Sequence, residues 1–163
     1  MYQWLAFLHL LGVFGFLLAH GASASVEFAL RQERDHERVR ALLTLSATSY
    51  PIMYLSLLVL LVTGIITGVM GEWWGRGWIW TSLILLIAII VAMSMLGSNK
   101  LSVLRKALGL PYFERGKQQP AVAPASAAEI DAMLAKGGNP HLLTVIGLCG
   151  IAVVAWLMMF KPF

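Results

Sequence analysis

The chain has 163 residues, of which 59% are hydrophobic and only 12% charged, and its mean hydropathy is +0.78. That composition excludes an ordinary water-soluble globule. Its 12 basic residues outnumber 8 acidic ones, yet ten of the 12 fall within residues 31–40 and 100–136, where acids accompany them, which argues against nucleic acid as a partner.

Four windows contain no Asp, Glu, Lys or Arg: residues 1–26, 41–71, 77–99 and 137–160. Each is long enough to span a bilayer, which needs about 20 apolar residues. The expected fold is therefore all-α, a single integral membrane four-helix bundle over residues 1–163. Its spans fall near 4–26, 52–70, 78–97 and 141–160, and an amphipathic and linker segment covers about 98–138. Basic residues concentrate on the cytoplasmic side of membrane proteins. Both basic loops are accordingly expected in the cytoplasm, and both termini outside, with the turn at residues 72–77.

The first window opens with Tyr2 and Trp4, residues suited to the membrane interface. An Ala22-Ser23-Ala24 pattern follows its apolar run, but the basic n-region of a signal peptide is missing, so the segment is expected to be a retained helix. Gly12, Gly15, Ala19, Ala22 and Ser23 recur at helical spacing, and such small residues let a second helix approach closely. Beyond it, Arg31 to Arg38 carries mixed charges three and four residues apart and reads as a polar helical elbow.

Pro51 stands where the second span starts or kinks, and Gly64, Gly68 and Gly71 form another close-packing stripe. Trp73, Trp74, Trp78 and Trp80 flank the turn into the third span and read as an aromatic belt. Leu101 to Leu108 is amphipathic and is expected along the inner membrane surface. Residues 118–128 read as an Ala/Pro linker, and Ser126 to Glu129 matches a capping box. Gly137-Gly138 ends the short helix that follows, with Asn139 as the cap and Pro140 as the first residue of the last span. Cys149 lies within that span, has no intrachain partner, and reads as a small buried apolar residue.

The chemistry-bearing residues are the few ionisable groups within or at the edge of spans: His9, His20, Glu27 and His141. Intramembrane ionisable side chains are costly and usually face the bundle interior. At 100° per residue His20 lies about 20° around the helix from His9 and about 16 Å along it, and Glu27 returns to the azimuth of His9. Neutral imidazole ligates haem iron and transition metals, and a four-helix bundle can hold a b-type haem between facing helices. His20 and His141 match in depth and could pair if the first and last spans adjoin. His9 has no second histidine at its depth, so Met70, Met158 or Met159, or an open position, would complete a haem or Cu(I) site there. Structural roles for all three histidines stand beside these readings. No phosphate-binding glycine loop, Cys-x-x-Cys or His-Glu-x-x-His motif occurs.

Phe7-Leu8-His9-Leu10-Leu11, the run from Arg40 through Tyr50-Pro51-Ile52-Met53 to Thr63-Gly64, and Lys161-Pro162-Phe163 together resemble a superfamily of small bacterial membrane proteins. That superfamily includes copper-resistance D-type proteins and the membrane-bound protoporphyrinogen oxidase of haem synthesis. The resemblance implies a bacterial inner-membrane location and a b-type haem at the first-helix histidine, here His9. It also implies a functional lysine in the third helix. None occurs between Gly77 and Asn99, where Thr81 or Ser82 occupies the comparable region, so the oxidase reaction lacks its lysine here. The expected role is a redox or haem-handling membrane protein using His9, with or without His20 or His141. The competing expectation is a cofactor-free accessory or assembly subunit that contacts other membrane subunits, or a second copy of itself, through its glycine faces, tryptophan belt and inner amphipathic segment. Metal or small-solute transport is a third.

Overall fold

A computed structural model describes residues 1–114, 117–137 and 139–163, with the side chain of Ser98 outside the description. Arg115 in the second basic segment and Gly138 before the last span also lie outside it. The described residues form six α-helices: α1 (Tyr2–Gln32), α2 (His36–Met70), α3 (Gly77–Met93), α4 (Asn99–Ala107), α5 (Ala127–Lys136) and α6 (Pro140–Phe160). Four helical runs are long and apolar enough to cross a membrane: α1, α2, Gly77–Ala107 and α6. The chain is thus a multi-pass, all-α membrane protein.

The helices overrun the expected spans. The 35 residues of α2 reach about 52 Å at 1.5 Å per residue, against a hydrocarbon thickness of about 30 Å. Asp35 starts α2 by accepting hydrogen bonds from the amides of Glu37 and Arg38, so the polar elbow is a break between two helices. Across it Arg38 lies 3.8 Å from Glu33. Pro51 sits inside α2 and starts nothing.

The third span does not stop near Gly97. It passes through one π-turn, Ser94–Ser98, into α4, which is helical and continuous with α3. The amphipathic segment therefore prolongs the span, and it buries Leu101, Ala107 and Leu108 within the protein. Part of the expected linker is ordered as well: Tyr112–Glu114 (β1) pairs antiparallel with Lys117–Gln119 (β2). The Ser126 capping box, the Asn139 cap and Pro140 at the helix start are all present.

Helix α1 packs along α2, and α3 along α6, with α1 also against α6. Gly12 and Gly15 make the first contact close: a Cβ at Gly12 would lie 3.0 Å from the Leu60 side chain, and one at Gly15 would overlap the Ser56 hydroxyl. Burial within the spans includes small polar residues, as at Ser49, Ser56, Thr63, Thr67 and Ser82, beside apolar ones such as Phe16, Ile89 and Leu157. Thr67 donates to the carbonyl of Thr63 and Ser82 to that of Trp78, each at 2.8 Å, so these hydroxyls are satisfied four residues back on their own helix.

An apolar cluster lies at the end formed by the α1–α2 elbow, α4 and α5. Val26, Leu30, Val39, Leu43, Leu101, Ala107, Leu108, Ile130 and Leu134 pack there as one cluster. His36 Nε2 meets Asp131 Oδ1 at 2.8 Å, joining the two basic segments directly. At the opposite end Tyr2 packs edge-on against Trp73, and the amide of Trp78 donates to the Phe163 carbonyl at 3.2 Å. The tryptophans there form more than a belt. Trp78 is buried, and the Lys161 ammonium rests 3.8 Å from the Trp73 ring centre.

Candidate functional site

His9 projects from α1 onto α2, where its ring enters the notch left by Gly64. A Cβ on Gly64 would lie 3.2 Å from His9 Cε1. There His9 Nδ1 is 2.9 Å from Thr63 Oγ1. The Thr63 hydroxyl in turn donates to the carbonyl of Val59, one turn back. A hydroxyl has one proton. When that proton is committed to the backbone, Thr63 Oγ1 can accept from Nδ1–H of His9, the tautomer that leaves a lone pair on Nε2. A histidine held in this tautomer by a hydrogen bond to its other nitrogen is arranged as ligating histidines are.

His20 and Glu27 share an α1 face with His9 in the sequence, but that face is divided between different neighbours. His20 turns to α6 and is 7% exposed, with its ring stacked on Phe16 at 6.3 Å. A Cβ at Gly147 would overlap Nε2 and lie 2.7 Å from Cε1. Nε2 has no hydrogen-bond partner among the described residues. Helix α6 thus lies directly against that nitrogen.

The first and last spans do adjoin, but they do not bring His20 and His141 together. Gly147, opposite His20, lies six residues beyond His141, about 9 Å along α6. His141 is exposed and packs edge-on against Phe28, with ring centres 4.9 Å apart. Glu27 meets a third element, the π-turn. A Cβ at Gly97 would lie 3.2 Å from its Oε1.

Of the sulfur candidates for His9, Met158 is half-buried, while Met70 is 45% and Met159 79% exposed, as suits lipid-facing side chains. Cys149 is exposed too, where a buried residue was expected. Among the described residues no three of His, Cys, Asp and Glu gather as a metal-holding group. His9 is thus seated against Thr63 and Gly64 on α2, His20 against Gly147 on α6, and His141 stands apart from both beside Phe28.

Two residues that shape these sites drew no separate notice in the sequence. Thr63 entered only as part of a longer resemblance and Gly147 not at all, whereas Gly64 was read as part of a close-packing stripe and not as a seat for His9. The glycine stripes also prove to be spent internally. Gly64 receives His9, Gly68 lies against Trp74 and Ile79, Gly147 against His20, and Gly150 against Ile89. No protein-family model, curated protein or solved structure matches this chain.

Proposed function

We propose that this chain is a bacterial inner-membrane protein, with its basic end in the cytoplasm, that holds a b-type haem or related porphyrin through His9 in a redox or haem-handling role. The observation that carries the reading is the His9–Thr63 hydrogen bond at 2.9 Å. Thr63 fixes the ring and its tautomer, Gly64 gives the ring room to lie on α2, and Nε2 is left as the donor atom. A haem bound there would supply one-electron chemistry at its iron. Among the three histidines the arrangement favours His9, since His20 is sealed by Gly147 and His141 packs on Phe28. The accessory-subunit reading stands as the alternative, with Gly64 and Gly68 packed against the chain's own His9, Trp74 and Ile79.

The test is an oxidised and dithionite-reduced absorption spectrum of the purified protein, with a pyridine haemochrome assay for stoichiometry. A b-type spectrum near one haem per chain is expected. His9→Ala should abolish it while membrane insertion persists, and Thr63→Val should weaken haem retention by about 10-fold or more, as loss of a ligand's orienting partner does. His20→Ala and His141→Ala should retain the band. A colourless, fully inserted protein would overturn the proposal and leave the accessory role standing.

A further inference from the structure

A cavity of about 630 Å³ opens at the basic end between α1, α4 and α5. Its wall is apolar: Leu30 from α1, Leu101 from α4 and Leu134 from α5 line it, and all three belong to the buried cluster. Its rim is cationic. Arg31, Lys100 and Lys136 come one from each helix, all three exposed. None closes an ion pair within 4 Å among the described residues, whereas Arg38, Arg40 and Lys106 each lie beside a carboxylate. The one acidic lining residue, Glu27, stands against Gly97 of the π-turn at the inner side.

We propose that this cavity is a binding site for an anionic phospholipid of the surrounding bilayer, with its headgroup phosphate among Arg31, Lys100 and Lys136 and an acyl chain along the leucine wall. Charge complementarity selects the head, since the rim carries three cations and a zwitterionic head would bring a fourth positive group to them. Apolar complementarity selects a lipid over a free anion, because inorganic phosphate leaves the leucines without a partner. Clustered basic residues at the cytoplasmic edge of a span recognise acidic lipids in this way. Glu27 at the inner side favours a headgroup that can donate hydroxyls to it, as phosphatidylglycerol does. The site is independent of His9 and of whatever His9 holds.

The experiment is native mass spectrometry of the full chain in detergent, with equimolar phosphatidylglycerol and phosphatidylcholine of matched acyl chains. Preferential retention of phosphatidylglycerol is expected, declining as salt rises. Each of Arg31→Gln, Lys100→Gln and Lys136→Gln should reduce it by about fivefold, while Lys117→Gln, outside the cavity, should leave it unchanged. Equal retention of both lipids, indifference to salt, or unaltered retention in all three variants would overturn the proposal. Competition by glycerol phosphate as effective as by the intact lipid would also overturn it, by assigning the rim to a free anion. The salt and lipid comparisons use the parent protein and remain decisive even if a variant fails to fold.

Discussion

Gly147 is the position where one methyl group does most harm. Its absent side chain is the space into which the His20 ring fits, so Gly147→Ala forces either the buried ring or α6 to move. Overpacking of this kind costs about 1–3 kcal/mol. Thermal unfolding in detergent should show that loss, and the same substitution in a His20→Ala background should be close to neutral, because the obstructing ring is gone. An equal loss in both backgrounds would place the cost in α6 itself. The histidines were visible in the sequence because imidazoles are conspicuous among leucines. Their partners were not recognisable as such. Gly64 stood out only as one of a close-packing stripe, Thr63 and Gly147 are common residue types in spans, and all three roles follow from how two helices cross, which no single-helix azimuth contains. The angle that put His9 and His20 on one face was sound geometry for an isolated α1, yet α2 takes the one and α6 the other.

Helix α5 shows how a short element outside the spans is held. Ser126 and Glu129 close a reciprocal capping box: the Glu129 amide donates to Ser126 Oγ, while the Ser126 amide donates to Glu129 Oε2 at 3.0 Å. These hydrogen bonds hold the Glu129 carboxyl below its usual value of 4.5. A depressed carboxylate contributes stability that is full above that usual value and is lost as pH falls through the lowered one. Amide exchange in the first turn of α5, corrected for intrinsic rates, should therefore accelerate on acidification below 4.5, and Ser126→Ala should remove the pH dependence. Loss of a serine cap costs about 1 kcal/mol, so that variant should also exchange faster at neutral pH. This cap and the Asn139-Pro140 start were legible because capping chemistry is local. The continuation of α3 into α4 was not, since Gly97 and the polar Ser98-Asn99-Lys100 run resemble a helix stop, and the π-turn absorbs them without ending the helix. The β1–β2 hairpin was missed for a related reason: three-residue strands carry no periodicity to read.

At the scale of the molecule, two kinds of packing divide the chain. Between the spans, where lipid offers no hydrophobic drive for helix association, the close approaches use glycine, serine and threonine beside buried apolar side chains such as Phe16, Ile89 and Leu157. A leucine-rich cluster lies at the basic end, around the elbow and α5, where water makes burial of apolar surface favourable. That placement agrees with the charge distribution. The end that needs a water-driven core is also the end that carries ten of the 12 lysines and arginines, which the positive-inside rule puts in the cytoplasm. With the proposed orientation, four crossings would return both chain ends to the outer side, with the tryptophan turn. Single cysteines in a Cys149→Ala background test this directly: Gly75→Cys, where a side chain meets nothing within 4 Å, and Ala123→Cys on the exposed segment before α5. A membrane-impermeant maleimide should label the first in intact spheroplasts and the second only after permeabilisation. The opposite result would reverse the orientation and put the cationic cavity in the outer leaflet. Labelling of both without permeabilisation would mean that the two ends share one side of the membrane, which an odd number of crossings between them forbids.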